Sequence, residues 1–408
     1  MRSLPSPWVK VTLADVALVQ TGLSKSASRQ GERVSRPYLR VANVQDGYLD
    51  LGEVKYIDVP IGQLERFRLH PGDVLLTEGG DFDKLGRGCV WNGEIKDCVH
   101  QNHVFAVRVK DENRLISAFF ALVIQSERAR AYFISCAKQT TNLASINSSQ
   151  IKQLPMRLPP LDVQREIVRL VDEFNLGIGL AENLLFALER RKQGLTQQLL
   201  TGRKRLKGFK AKWKMTRADK LFDDIAKRSQ LNEQLLSVTQ DRGVIPRTML
   251  IGRVTMPSGD VNSFKLVEPD NFVISLRSFQ GGLEHSAYRG LVSPAYTVLE
   301  ADTAQVDAPY FRQYFKSVDF LHRLSVAVVG IRDGKQISYT DFKSIKLPLP
   351  PLPEQKAIAT LLNFADSEIG LAVQRTELLR IQKRALMQKL LSGDWCMPRT
   401  ALLKEFSA

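Results

Sequence analysis

Cysteine is scarce in this chain: the 408 residues hold four, Cys89, Cys98, Cys136 and Cys396. No two of them form a C-x-x-C pair, and no histidine stands at zinc-finger spacing from them. A disulfide framework needs denser cysteine, so a reducing, cytoplasmic compartment is expected. The five histidines form no metal-ligand cluster, and no metal site is expected. No stretch approaches 18 uninterrupted apolar residues, so no transmembrane helix is expected. Met1-Arg2-Ser3-Leu4-Pro5 has no apolar run behind it, so a secretory signal is not expected either. Acidic residues are the under-represented charge: 43 Asp and Glu stand against 58 Lys and Arg, a net +15. That excess suits a polyanionic partner, because Lys and Arg brought to phosphates release counterions. With 44% hydrophobic and 25% charged residues, the composition excludes a disordered or collagen-like chain.

Catalytic signatures are lacking too. There is no nucleotide-binding P-loop and no Asn/Asp-Pro-Pro-Tyr/Phe tetrapeptide of an amino-group DNA methyltransferase. Gly177-Ile178-Gly179 lies inside a helical pattern and not after a strand, so it is no cofactor fingerprint. Pro71-Gly72-Asp73 followed by Glu94-x-Lys96 can be drawn as a metal-dependent nuclease pattern, but acid-x-Lys triplets occur in any charged protein. The chain therefore reads as a binder that carries no catalytic residues and holds no cofactor. A self-contained modification or nuclease enzyme, and a coiled-coil scaffold for proteins, are the alternatives.

What is present is a repeat. Leu158-Pro159-Pro160-Leu161 recurs as Leu349-Pro350-Pro351-Leu352, an offset of 191 that holds without a gap for 45 positions with 18 identities. Gln164 matches Gln355, and Ile178-Gly179-Leu180-Ala181 matches Ile369-Gly370-Leu371-Ala372. A period this long describes one module of about 200 residues used twice, not a solenoid. Each copy places a variable part first and the similar segment last. The variable parts share only scraps, such as Lys10-x-Thr12-x-Ala14-Asp15 with Lys214-x-Thr216-x-Ala218-Asp219.

The prolines before each similar segment stiffen the lead-in to a helix. Apolar residues then fall at 167, 171, 174, 178, 181, 185, 188, 195 and 199, a 4-3-4-3 spacing. The second copy reads Ile358, Leu362, Ala365, Ile369, Ala372, Thr376, Leu379, Lys383, Leu386 and Leu390. Such a seam predicts two helices of about 35 residues that pair with each other as a coiled coil. Ile167, Val171, Ile178, Leu185, Leu188, Ile358, Leu362, Ile369, Leu379 and Leu390 are the expected packing residues. Gly179 and Gly370, beside Ala181 and Ala372, would allow close approach, and a local break near 177–179 is allowed for. Lys192 and its mate Lys383 occupy the seam, as solvated helix ends or as register-setting polar residues. Gly202 and Gly393 sit where a glycine cap belongs.

Both variable parts read as mixed α/β. Tyr38–Val44, Asp73–Thr77 and Cys98–Val107 are predicted strands, with a helix over Leu115–Ala137. The second part has strands around Leu235–Val238, Phe272–Leu276 and Ala295–Leu299, and a helix near Pro309–Leu324. Two glycine-rich loops, 78–88 and 277–286, each follow a strand opened by a turn (Pro71-Gly72-Asp73 and Pro269-Asp270-Asn271). Glycine allows close backbone approach, and Arg, Lys, Gln and Asp match base-edge donors and acceptors; an ordinary surface turn has the same composition. Residues 203–217 hold eight cations and no acid, more than half of the net charge. They read either as a solvated linker or as a strap on phosphates. The candidate DNA-contacting residues are Arg40, Asn43, Gly79, Gly80, Asp81, Lys84, Arg87, Gln101, Asn102, Lys204, Arg205, Lys207, Arg253, Arg277, Ser278, Gln280, Gly281, Gly282, His285 and Arg289.

With these residues in view, the chain resembles the DNA-specificity subunit of type I restriction–modification enzymes. The carrying features are Leu158-Pro159-Pro160-Leu161-x-x-Gln164 and Leu349-Pro350-Pro351-Leu352-Pro353-Glu354-Gln355, each before a long helix that ends near Leu-Leu-Thr/Ser-Gly. Gly79-Gly80-Asp81 with Gln101-Asn102-His103, and Arg277–Gly282 with Ser293-Pro294-Ala295-Tyr296, are of the same kind. Asp162-Val163 departs from the more usual Pro353-Glu354. The resemblance implies an α+β chain: two mixed α/β target-recognition domains joined by two long helices pairing as an antiparallel coiled coil, with an internal pseudo-two-fold repeat. The expected boundaries are 1–154 for the first recognition domain, 155–202 for the first spacer helix, 203–345 for the basic linker and second domain, 346–394 for the second spacer helix, and 395–408 for a tail. Each domain would read one half of a bipartite, asymmetric site in double-stranded DNA, with the gap set by the helices. Implied partners are methylation subunits, two of them, that use S-adenosylmethionine on adenine, and restriction subunits that translocate and cut with ATP and Mg. Two diverged readers on a repeated frame are what an asymmetric site requires.

Overall fold

A computed structural model describes residues 8–24, 32–80, 85–139, 144–228, 233–250, 263–275, 282–327 and 337–395. The chain forms two compact units, Met1–Leu180 with Thr376–Ala408, and Ala181–Arg375. No helix among the described residues is long and apolar enough to cross a membrane.

The first unit is built on a four-stranded antiparallel sheet in the order Ala17–Thr21, Val104–Val109, Val74–Thr77, Gly88–Val90. Val74–Thr77 is buried along its whole length, which is why it reads as an unbroken apolar run. A second sheet orders Lys55–Pro60, Arg33–Leu39 and Val99–His100, the last pair parallel. The second unit repeats the four-stranded sheet as Phe222–Ile225, Thr297–Ala301, Phe272–Ile274, Glu284–His285. Its core is aromatic: Phe222, Phe272, Phe311, Phe315 and Phe342 contact one another at centroid separations of 5.0–6.0 Å.

Several elements differ from the sequence pattern for local reasons. The expected strand Tyr38–Val44 ends at Leu39 and turns through a single helical turn, Val41–Asn43. Cys98–Val107 splits into Val99–His100 and Val104–Val109 around the turn Gln101–His103. The single helix expected over Leu115–Ala137 is two, Ser117–Gln125 and Glu127–Cys136. Ser126 stands between them with φ −70° and ψ 149°, and its side chain accepts from the Ala129 amide at 3.2 Å. A serine oxygen in that position replaces an intrahelical bond and starts a new helix. Ser317 does the same for Ala308–Tyr314 and Val318–Ala327, accepting from the Phe320 amide at 3.2 Å. The two serines are 191 residues apart, so the shared frame extends well upstream of the visible identity.

A two-stranded ribbon closes each unit: Val9–Thr12 with Pro155–Leu158, and Lys214–Arg217 with Lys346–Leu349. Val9 faces Leu158 and Lys214 faces Leu349, the repeat mate of Leu158. Leu13 donates to the Leu154 carbonyl at 3.0 Å, and Ala218 donates to that of Ile345 at 2.9 Å. Val9 thus corresponds to Lys214 and Leu13 to Ala218. The Lys-x-Thr-x-Ala-Asp scrap aligned these segments one residue out of step, and strand pairing corrects it.

The two long helices are Leu161–Leu200 and Leu352–Ser392. The first runs unbroken through Gly177 and Gly179, so the allowed-for break is absent. In the first unit Ile167 and Val171 share a core with Met387 and Leu390. In the second unit Leu199 and Leu200 share one with Ile358 and Leu362. In each unit the start of one helix packs on the end of the other, the antiparallel arrangement. Ile178, Leu185, Leu188, Ile369 and Leu379 are half-buried, as seam positions should be. Ala181 and Ala372 are buried, but a Cβ on Gly179 or Gly370 would meet nothing within 4 Å, so those glycines serve no close approach. Lys192 forms an ion pair with Asp366 of the second helix. Lys383 is half-buried, and burial pushes its amine below the usual lysine range. Gly202 (φ +70°) and Gly393 (φ +76°) end both helices, donating to the Leu199 and Leu390 carbonyls at 3.2 Å. Lys204 and Trp395 then donate to Gln198 and Lys389, which completes the same glycine cap twice.

One buried side chain ties the rest of each unit to its long helix. Gln164 accepts from the Ile116 amide at 3.0 Å and donates to the carbonyls of Arg114 at 2.9 Å and Pro159 at 2.8 Å. Gln355 accepts from the Asp307 amide at 2.9 Å and donates to Gln305 at 2.8 Å and Pro350 at 2.9 Å. Both glutamines are fully buried. Removing the carboxamide strands one amide and two carbonyls. Gln355→Leu is therefore expected to destabilise the second unit by about 2–3 kcal/mol. Hydrogen exchange should show faster amides in that unit alone, and Gln164→Leu should do the reverse.

Candidate nucleic-acid interface

In the first unit several loops meet at one rim. Glu78 donates its amide to the His103 carbonyl at 2.9 Å, Asn102 donates to Leu23 at 3.0 Å, and Ile146 donates to Glu78 at 2.9 Å. The turn Gln101–His103 thus sits beside Gly79–Gly80, which pair with Ala144–Ser145. His100 braces the turn from below: it is fully buried, with Nδ1 2.7 Å from the Val104 carbonyl oxygen. Burial holds its imidazole far under the ordinary value, at about 4. On the outer side His103 contacts the Glu78 carboxylate, and the Asn102 amide lies 3.3 Å from His103 Nε2. Arg87 approaches Gln45 at 3.4 Å. Donors and acceptors of both kinds are therefore presented together, the requirement for reading base edges. His103 and Glu78 stand in segments singled out from the sequence but were not among the candidate residues, because their contact with each other is not visible in either segment alone.

Some candidates are structural instead. Asn43 is buried: its amide donates to the Asp50 and Glu53 carbonyls at 2.8 and 2.9 Å and its oxygen accepts from the Arg40 amide at 2.9 Å, leaving nothing to offer a base. Arg40 pairs with Glu53 at 3.1 Å. A Cβ on Gly79 would stand 2.1 Å from the Ala144 carbonyl oxygen, so strand approach demands glycine there. Gly282 (φ +78°) is likewise forced by the Phe315 carbonyl, 1.8 Å from its absent Cβ. Gly80 also takes a positive φ, +141°. The nuclease pattern dissolves: Asp73 is buried, forks with Arg108 at 2.7 Å twice, and accepts from the His70 amide at 2.8 Å. Asn271 makes the equivalent turn bond to the Glu268 amide, 2.8 Å.

The candidates Asp81, Lys84, Arg253, Arg277, Ser278, Gln280 and Gly281 lie outside the described residues. In the second unit Arg289 bonds Glu233 at 2.8 Å and Glu268 at 2.7 Å, and Glu268 also takes Lys227 at 3.0 Å. His285 lies 2.9 Å from Asp270, and burial lowers its pKa despite that partner. Beside it Glu284 is buried against Lys316, and desolvation raises its carboxyl above the usual range. Strand pairing sets Glu284 opposite Val273 as Cys89 is set opposite Leu75, so the two units carry different chemistry at one framework position.

The basic segment behaves in two ways. Arg205 is committed to a buried carboxylate: Nε and Nη2 each lie 2.6 Å from Glu354, which also accepts from the Trp213 indole at 3.0 Å. Arg205 thus has Nε and Nη2 committed within the protein, which sets it apart from the exposed cations among the candidates. Lys204 and Lys207 are exposed. Among the described residues no group of three or more His, Cys, Asp or Glu side chains lies together as a metal site. Cys89 and Cys98 are buried, and burial pushes both thiols up to about 12.

The family described as type I restriction modification DNA specificity domain matches residues 5–190 and 292–379. A putative type I restriction enzyme MjaX specificity subunit of Methanocaldococcus jannaschii is 24% identical over 96% of this chain and 94% of its own. Among solved structures, a chain from work on complex assembly and conformational transition of the type I R-M system aligns with a TM-score of 0.62 and 17% identity, covering 97% of this chain and 100% of that one. The HsdS subunit from Thermoanaerobacter tengcongensis aligns with a TM-score of 0.52 and 17% identity, over 97% and 99%. These two likenesses are of fold.

His100 gives the rim a pH dependence. As pH falls below about 6.5 the unfolded chain takes up a proton that the folded imidazole refuses until about 4. Stability is therefore lost on acidification through that window, by up to about 3 kcal/mol. His100→Asn keeps a donor near Val104 and removes the titration. Its stability should fall less steeply than wild type between pH 6.5 and 4 in urea titrations; parallel curves would refute the assignment.

Proposed function

This chain belongs to the type I restriction modification DNA specificity family, and on that premise we propose how its parts divide the work of reading DNA. It is the sequence-reading subunit, and its relatives are named specificity subunits rather than catalytic ones. Each unit reads one half of a bipartite, asymmetric site in duplex DNA. The observation that carries this is the pairing of a repeated frame with unlike contents. The glutamine latch, the serine cap and the glycine cap recur at an offset of 191. Among the described residues the rim chemistry differs: by strand register, His103 of the first reader corresponds to Ala295 of the second. One scaffold carrying two unlike readers suits two unlike half-sites.

In the first reader Gln101, Asn102, Arg87, His103 and Glu78 are the base-reading candidates, and Gly79 and Gly80 hold the strand pairing beside them. In the second, Lys204 and Lys207 contact phosphates, and Arg289 and His285 border the reading loop. Residues 1–154 and 203–345 are the readers, and 155–202 and 346–394 the spacer that sets the unread gap. Two methylation subunits carrying S-adenosylmethionine dock on the spacer. Leu176 and Leu180 in the first unit, and Leu184, Phe186 and Leu371 in the second, support this reading because they stay 48–67% exposed on the long helices. Restriction subunits using ATP and Mg complete the complex, and the whole acts in the cytoplasm on adenine.

Replacing residues 1–113 by those of a relative leaves the first latch in place. Methylome sequencing should then show one half-site changed, with the other half and the gap unchanged. A change in both halves would sink the modular reading. One heptad added at matched positions of both long helices should lengthen the gap by about 3 base pairs, from about 10 Å of helix. Methyl transfer by the purified chain alone, given DNA and S-adenosylmethionine, would overturn its role as reader.

A further inference from the structure

A run of eight cations at the end of a helix is ordinarily a loose, solvated linker. Here it is stapled. Glu354, fully buried at the start of the second long helix, holds the run at two places at once: Arg205 by a two-pronged bond and Trp213 through its indole. Arg205 Nη2 also donates to the Ala211 carbonyl at 2.8 Å, and its guanidinium lies 5.3 Å from the Trp213 ring centre. The residues between are thereby closed into a loop. Gly208 (φ +97°) turns it, with the Phe209 amide donating to Leu206 at 3.2 Å. Leu206 and Trp213 pack on the unit's core, and Trp213 covers Gly202 of the helix cap at 3.3 Å from where a Cβ would stand.

What remains outward is cationic. Arg203, Lys204, Lys207, Lys210, Lys212 and Lys214 are all exposed, and none makes an ion pair among the described residues. Arg217, the eighth cation, is occupied by Asp219 at 2.7 Å. Val163 stands where Glu354 does, so the first long helix carries no carboxylate at that place. A closed loop displays its charges at nearly fixed spacing, so little freedom is lost when they meet a regular row of phosphates.

We propose that Arg203–Lys214 is a pre-shaped strap for the phosphates of duplex DNA, and that Arg205, Trp213 and Glu354 are positioning residues that hold its shape without touching DNA. The proposal rests on the DNA-reading function above. It is tested with the full chain and a mixed-sequence duplex of about 30 base pairs, following binding by fluorescence anisotropy over a range of salt. Replacing Lys207, Lys210 and Lys212 together by Gln should flatten the plot of log binding constant against log salt by up to about 2.7, about 0.9 for each phosphate left without its cation. Arg205→Lys keeps the charge and removes the fork; Trp213→Phe removes the indole donor and keeps an aromatic ring against the core. Each should weaken binding roughly three- to tenfold and flatten the salt slope, with thermal melting close to wild type. Two staple variants are used so that a folding defect in one leaves the other to decide. An unchanged slope in the triple variant would mean that the cations face something other than DNA, such as an acidic protein, and would overturn the strap. Wild-type slopes in both staple variants would overturn the positioning role. Absence of any duplex binding by the wild-type chain would instead sink the DNA reading itself.

Discussion

Everything in each unit hangs from a buried carboxamide. A glutamine at the fourth position of the long helix reaches back to the proline-rich lead-in and across to the loop that enters the reader's first helix pair. It satisfies backbone groups that sit where no water reaches, so its absence costs far more than its presence gains. The proline lead-in supplies a stiff approach, and the glutamine converts that stiffness into a fixed angle between reader and helix. The same six bonds, three in each unit, recur at one offset. The readers can therefore differ freely in their loops while their attachment stays the same.

The long helices use apolar and charged contacts for separate ends. Ile167, Val171, Met387 and Leu390 supply area, whereas Lys192 and Asp366 join the two helices by opposite charges. A seam lysine slipped by one heptad would be parted from its acid and be left half-buried and charged. Lys192 is therefore not a free, solvated helix end, the first of the two roles open to it from sequence: its charge is answered by an acid of the second helix. Its mate Lys383 is half-buried with a depressed amine, and Asp46 and Asp172 are the acids that act on it. The duplication thus kept the lysines and changed how each is answered.

Periodic features were legible in the sequence, and relations between distant residues were not. The duplication, the 4-3-4-3 seam, the paired glycine caps and the buried strand Val74–Thr77 all follow from spacing or run length. Ser126 and Ser317 were hidden because apolar residues flank each of them closely enough to read as one helix. Their matching offset was the available signal. The one-residue error in aligning Thr12 with Thr216 arose because a chance tetrad outweighed a strand register that only pairing reveals. At the candidate interface, composition found the glycine loops and the basic run. It could not see that Arg205 is answered by a carboxylate 149 residues away, or that Asn43 faces inward.

The division of the chain into units has a consequence for the order in which it matures. The second unit, Ala181–Arg375, is one uninterrupted stretch, so all its core residues have been synthesised before the chain is finished. The first unit borrows Thr376 onward, and Met387 and Leu390 sit in its core with Ile167 and Val171. Those contacts close a loop of roughly 200 residues, the slowest kind to form. While the ribosome is still adding the second reader, the first exposes the apolar side of its helix to the cell. The earlier-made half of this protein is thus the later to be completed, and the nascent chain carries an unfilled groove whose natural filler is its own second long helix.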